Sequence, residues 1–184
     1  MSVRLVYETH ATTTDNEAGL ATGWRPGELS AAGRRQAAEL GDRRRDDGID
    51  VVYTSDLARA VDTARIAFAG TAVPLLQDVR LRECDYGHFT GRPLAELRPR
   101  RARHLMEPFL DGQSYRDVQR STADFLRELS AERDGQRVLV VAHSANRWAL
   151  ASLLGGTPLR EAIEEPPDWW RPGWEYELPA GWTP

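Results

Sequence analysis

The five residues Val138-Leu139-Val140-Val141-Ala142 carry no polar side chain, and they are bounded by Gln136-Arg137 before and His143 after. A short run that is apolar at every position, not at every second one, reads as a strand buried on both faces. Such strands belong to parallel sheets, whose crossover helices cover both sides. The rest of the chain supplies matching elements. Residues 3–7 and 49–53 read as further strands, and 73–76 as another. "LSAAGRRQAAELGDRR" starts a helix with Ser30 as its N-cap, placing Ala37 and Leu40 on one face and the arginines on the other. "TSDLARAVDTARIAFAG" starts a second, capped by Ser55 or Asp56, with Ala60, Ala64 and Phe68 stacked along one side.

Residues 81–90 predict an irregular segment, and 94–106 a helix interrupted by Pro99. Residues 114–131 predict a helix with Val118, Phe125 and Leu126 inward, and Ser144 to about Leu154 another that stops at Gly155-Gly156. Strands alternating with helices imply an α/β three-layer sandwich, a largely parallel central sheet with helices on both faces. The chain has 184 residues, 41% of them hydrophobic, which suits one domain spanning 1–184. From about residue 161 a tail carries Pro166, Pro167, Pro172 and Pro179 with four tryptophans, and a strand is expected at Trp174 to Leu178.

Composition narrows the function classes. No run approaches a membrane span, and no signal peptide is expected before the first strand. The single cysteine, Cys84, fits a reducing compartment, so a cytoplasmic location is expected. A net charge of −4 argues against a general nucleic-acid binder, and no membrane partner is implied. All 24 basic residues are arginine. Coding bias accounts for that, although the planar guanidinium also suits oxyanion binding.

His10 and His143 each fall just past the carboxyl end of a predicted strand, where ligands bind in open α/β sheets. Ser144 opens a helix, and helix N-termini favour anions. "TSDLAR" repeats the design and puts Arg59 in a first helical turn. Three strand–helix junctions thus aim two imidazoles and a guanidinium at one place, and an anion such as phosphate fits it.

These residues resemble the histidine phosphatase superfamily, also called phosphoglycerate mutase-like. His10, Asn16 and Gly23-Trp24 stand at the spacings of its opening motif, and "LSAAGRRQA", "YTSDLARAVDTA", "LRECDYGHFTGR" and "VLVVAHSANRWAL" follow in its order. The resemblance covers about residues 3–156. It implies His10 as nucleophile, with Arg59, Glu83 and His143 as its catalytic companions, and it implies no metal and no cofactor. Thr9, Ala11 and Ser144 depart from it: the family has Arg before the nucleophilic His and Gly after each His. Thr9 offers one neutral hydrogen bond where a guanidinium would hold phosphoryl oxygens.

A neutral imidazole at His10 can attack a phosphoryl group and become a phosphohistidine. Arg59 and His143 would neutralise the oxygens, and Glu83 would protonate the leaving alkoxide and later activate water. The expected function is phosphomonoester hydrolysis on a small phosphorylated metabolite. A phosphoglycerate mutase-type transfer, a non-hydrolytic binding protein on the same fold and a metallohydrolase using His10, His143 and Glu83 are the rivals. The mutases tend to be longer, and no clustered ligand motif such as H-E-x-x-H supports the metal.

Asn16, Thr9, Thr12 and Ser144 are candidate substrate-binding residues, although Asn16 equally suits a loop cap and Thr12 suits solvent. Arg147, four residues after His143, is the first candidate for the missing cation, ahead of Arg82 and Arg25. The run Arg98 to His104 reads as a solvated helix face, or alternatively as a positive lip over the pocket. His88 and His104 are expected at the surface, Cys84 in packing, the tail tryptophans as core cover rather than a sugar-binding platform, and Trp24 beside the substrate. Oligomeric state leaves no mark in the sequence.

Overall fold

Burial on both faces of residues 138–142 is what the computed structural model shows, and the sheet is built around them. Residues 1–164 and 173–184 are described. The chain runs through β1 (Ser2–Thr9), α1 (Thr14–Glu17), α2 (Ala31–Arg44), β2 (Val51–Thr54), α3 (Ala58–Ala67) and β3 (Leu75–Gln77). It continues with α4 (Leu94–Leu97), α5 (Tyr115–Glu132), β4 (Arg137–Ala142), α6 (Ser144–Leu153), α7 (Leu159–Glu164) and β5 (Trp174–Pro179). Short 3-10 turns fill much of the stretch from Val79 to Leu105.

The five strands form one sheet in the order β3-β2-β4-β1-β5. β3, β2, β4 and β1 are parallel, and β5 adds an antiparallel edge against β1. Alternation along the strands sorts the core into two layers. Val3, Leu5, Tyr7, Val138 and Val140 pack against Phe125, Leu126 and Leu129 of α5 and Leu150 of α6. Val6, Val52, Leu139 and Val141 pack against Leu40 of α2 and Ala64 and Ala67 of α3. This is the expected α/β sandwich on a mostly parallel sheet. No helix among the described residues is long and apolar enough to cross a membrane.

Local differences from expectation have local causes. α3 has Leu57 as N-cap with no side-chain cap, because Ser55 faces His143 and Asp56 holds Arg82. The N-cap of α6 is His143, so Ser144 is its first residue and not the cap. The helix expected over 94–106 is one turn followed by 3-10 pieces, since Pro99 has no N–H with which to continue the helical ladder. His104 is not a surface residue: it is buried, and its ring stacks on Phe109 at 3.8 Å. The tail strand expected at Trp174 forms. Pro166, Pro167, Trp169, Trp170 and Pro172 lie outside the described residues.

The loop that leaves β1 is clamped between two helices. Ala11 N–H donates to Thr63 Oγ1 of α3 at 3.0 Å, and Thr12 N–H to Gln36 Oε1 of α2 at 2.9 Å. Thr12 accepts from Ser30 N–H at 3.0 Å. Gly33 makes this approach possible, because a Cβ there would stand 1.9 Å from Thr12 O. Gly33→Ala is therefore expected to lower stability by roughly 1–3 kcal/mol through overpacking. Thermal denaturation checks it, and an unchanged melting temperature would show that the loop yields freely.

Candidate functional site

The site begins where β1 and β4 end. Thr9 pairs with Ala142, and His10 N–H extends the ladder to Ala142 O at 2.9 Å. The rings of His10 and His143 consequently lie side by side, their centroids 5.0 Å apart. His10 Nδ1 lies 2.8 Å from the carbonyl of Ala11, an acceptor only, so Nδ1 carries the proton. The lone pair is then on Nε2, which takes a long 3.3 Å hydrogen bond from Arg59 Nε. Burial, with the Arg59 charge added, pulls the His10 pKa down to about 3. His10 is a neutral imidazole with a bare Nε2.

Arg59 sits in the first turn of α3 and is only 1% exposed. Its terminal nitrogens donate to Arg25 O at 2.9 Å and Gly23 O at 2.8 Å, both in the loop between α1 and α2. That loop turns tightly at Gly23, whose φ of 53° is in the left-handed region.

Glu83 follows a 3-10 turn and receives Cys84 N–H on Oε1 at 2.7 Å. Burial raises its carboxyl pKa, outweighing the N–H groups of Cys84 and Ala145 and the charges of Arg59 and Arg101. Trp24 Nε1 donates to Glu83 O at 2.6 Å, and the Arg82 guanidinium lies 4.7 Å over the same indole. Trp24 therefore holds the segment that carries the carboxyl.

His143 is fully buried. Its Nε2 lies 2.7 Å from Ser55 Oγ, its N–H donates to Asn146 Oδ1 at 3.2 Å, and its carbonyl accepts from Tyr7 Oη. Burial lowers its pKa, helped by Arg59 and His10.

One cavity gathers His10, Asn16, Arg59, Glu83 and Ser144, together with Thr22, Gly23, Tyr86 and Arg101. His143, whose ring lies beside that of His10, is not among its lining residues. Asn16 serves two purposes, since it also completes the capping box of α1 with Thr13. Thr12 lines an adjoining groove with Asn16, Glu17, Leu20, Leu94 and Arg98.

Thr9 lines neither cavity. Arg147 does not point into the pocket: its guanidinium lies 5.1 Å over the Trp174 ring. One helical turn on from His143, it shares that residue's sheetward face. Arg82 is forked onto Asp56 at 2.7 and 2.5 Å, and Arg25 contributes a backbone carbonyl.

The cation that does reach the cavity is Arg101, from the run read as a solvated face. Arg98, Arg100 and Arg103 are exposed there, whereas Arg101 and His104 are buried. Their spacing from buried Leu97, four and seven residues, marks one inward helical face, a signal present in the sequence. With both histidines neutral, the cavity holds two guanidiniums and one carboxyl group whose pKa is raised. Its lining thus combines positive charge with an unprotonated imidazole nitrogen and a carboxyl group.

A stretch of 99 residues, 51% of this chain, is 38% identical to the 2,3-bisphosphoglycerate-dependent phosphoglycerate mutase of Streptococcus sanguinis. It covers 43% of that protein, so the chain spans less than half the length of the curated relatives it matches. Among solved structures, YhfR of Bacillus stearothermophilus superposes with a TM-score of 0.80 at 28% identity, over 89% of this chain and 85% of that one. A mycobacterial glucosyl-3-phosphoglycerate phosphatase, solved with VO3, gives 0.76 at 28% identity, over 88% and 86%. Residues 9–181 match the family itself, and the chain belongs to the histidine phosphatase superfamily, branch 1.

Proposed function

We propose that the chain is a single-domain, cytoplasmic phosphomonoesterase that hydrolyses a small phosphorylated metabolite through a phosphohistidine at His10. The observation that carries this reading is the state of His10. Its Nδ1 proton is held by its own backbone neighbour, leaving Nε2 unprotonated beside Arg59 in a cavity that also contains Glu83.

In the first step Nε2 attacks phosphorus, and the ester P–O bond breaks. The proton of Glu83 goes to the leaving alkoxide, so an alcohol departs. The 3.3 Å contact from Arg59 Nε is weak and is exchanged for a phosphoryl oxygen as the substrate enters. In the second step the Glu83 carboxylate takes a proton from water. The oxygen attacks phosphorus, the P–N bond breaks, and inorganic phosphate leaves with His10 neutral again.

His143 keeps His10 in place by ring contact, and α6 offers Ser144 at its N-terminus to the anion. The adjoining groove, with Leu20, Leu94 and Ala95 along its length and Glu17 and Arg98 beside them, has room for the alcohol part. Small phosphate esters are also what the names of the related mutase and phosphatase describe.

Two outcomes are expected. His10→Ala should cut phosphate release from a generic aryl phosphate by about 10³-fold or more and abolish any acid-labile phosphoenzyme, while the melting temperature stays close to wild type. Turnover that survives in this variant would refute the nucleophile.

The second concerns pH. His10, lowered to about 3, remains neutral throughout the range from 7 down to 5, so kcat/KM should show no acid limb near the usual histidine value. Glu83 must hold a proton, and its pKa is raised, so the rate should fall as pH climbs through that raised value. Glu83→Gln should remove this limb. It should also slow kcat/KM on alkyl phosphates by about 10²-fold or more, while aryl phosphates, which leave without a proton, are spared. Equal losses on both ester types would assign Glu83 a structural role.

A further inference from the structure

Arg101 has the properties of a side chain waiting for an anion. It is 8% exposed and lines the same cavity as His10, Arg59 and Glu83. Its Nε is buried with no hydrogen-bond partner, and among the described residues no acceptor or carboxylate is paired with its guanidinium. What holds it is Trp148 of α6, whose ring lies 4.7 Å below the guanidinium carbon. Trp148 is itself 2% exposed and braced edge-on by Tyr115 at 5.5 Å.

A buried cation with unused N–H groups is costly unless a ligand completes it. Arg59, by contrast, has already given donors to His10, Arg25 O and Gly23 O. Stacking engages the face of a guanidinium and leaves its N–H edge for an oxyanion. Of the other arginines considered for the pocket, Arg82 is committed to Asp56 and Arg147 to the Trp174 face, while Arg25 is exposed and does not line the cavity.

We propose that Arg101 is a phosphoryl-binding residue of this site, donating from its stacked guanidinium to an oxygen of the transferring group. The inference rests on the phosphomonoesterase reading for its reaction, but the binding it describes is measurable without turnover. Arg101 and Arg59 would share the phosphoryl oxygens. Because Arg101 also faces Glu83, the carboxylate formed when Glu83 gives up its proton would be stabilised by the same cation.

The test uses inorganic phosphate and orthovanadate, which have no leaving group, titrated calorimetrically into the wild type, Arg101→Gln and Arg101→Lys. Arg101→Gln should weaken both anions at least about tenfold, the scale of a lost hydrogen bond to a charged group. Its melting temperature should hold or rise, because an unpartnered buried charge has been removed. Arg101→Lys should recover only part of the affinity. Unchanged affinity for both anions in folded Arg101→Gln would overturn the inference. If KM for one ester rose at the same time, the arginine would be reading the alcohol part instead. A fall in melting temperature with unchanged anion affinity would make it a strut for Trp148.

The two readings fail differently. A wild type that binds phosphate through Arg101 yet hydrolyses no ester refutes the hydrolase alone. Arg101→Gln with wild-type binding and wild-type turnover refutes the present inference alone. A wild type that binds neither anion refutes both.

Discussion

The parallel pairing of β1 with β4 is the constraint on which the site depends. It sets Thr9 opposite Ala142, and so delivers His10 and His143 to adjacent positions at the carboxyl ends of two central strands. Side chains alternate along a strand, so a slip of one residue would exchange the two core layers. Val3, Leu5 and Tyr7 would leave α5, and Val6 would leave α2 and α3. Both layers therefore defend the register, and the position of the candidate nucleophile is held by core packing. Loop chemistry only refines it: Thr63, Gln36 and the missing Cβ of Gly33 fix the two residues that follow.

Burial then divides the ionisable groups by sign. An ordinary glutamate is charged at neutral pH, and an ordinary histidine is near the middle of its titration. Here both tendencies are altered in the direction that the proposed cycle requires. The cavity pushes Glu83 toward its protonated form and holds His10 bare, with Arg59 deepening the effect on the imidazole and opposing it on the carboxyl. Titratable groups driven apart in this way are what the proposed nucleophile and acid require. The arginine remains charged because a guanidinium has no accessible neutral form, and the carbonyls of Gly23 and Arg25 replace its water.

Much of this was legible in the chain. The apolar run 138–142, the strand ends at His10 and His143 and the first-turn position of Arg59 follow from periodicity and spacing, which local physics controls. The errors share another cause: they concern which way a side chain turns once its element is packed. Ser55 looked like a cap because caps are local, but its hydroxyl faces an imidazole from another strand. Arg147 has the right distance along the chain from His143 and the wrong face of α6. Arg101 and His104 were hidden in a charged run whose composition signals solvent. Only their spacing from Leu97 betrays the buried face, and the absence of regular helix over 98–105 weakens even that signal.

An anion responds to charge at a point in space, not to a position in a motif. At the end of β1 this chain has Thr9, whose side chain does not reach the cavity, so the strand itself brings no cation to the proposed phosphoryl site. The segment after α4 brings one instead, and α6 holds it there: Trp148 seats Arg101 while Ser144, one turn earlier on the same helix, lines the cavity. A single rigid element thereby fixes a guanidinium and a helix N-terminus relative to each other, and the His143 N-cap ties both to the strand end beside His10. This arrangement demands arginine and not lysine. An ammonium is strongly hydrated and has no flat face to lay on an indole, whereas a guanidinium loses less hydration and keeps its donor edge after stacking. In a chain whose basic residues are all arginine, coding bias suffices for the exposed ones, but at residue 101 the geometry itself makes the choice.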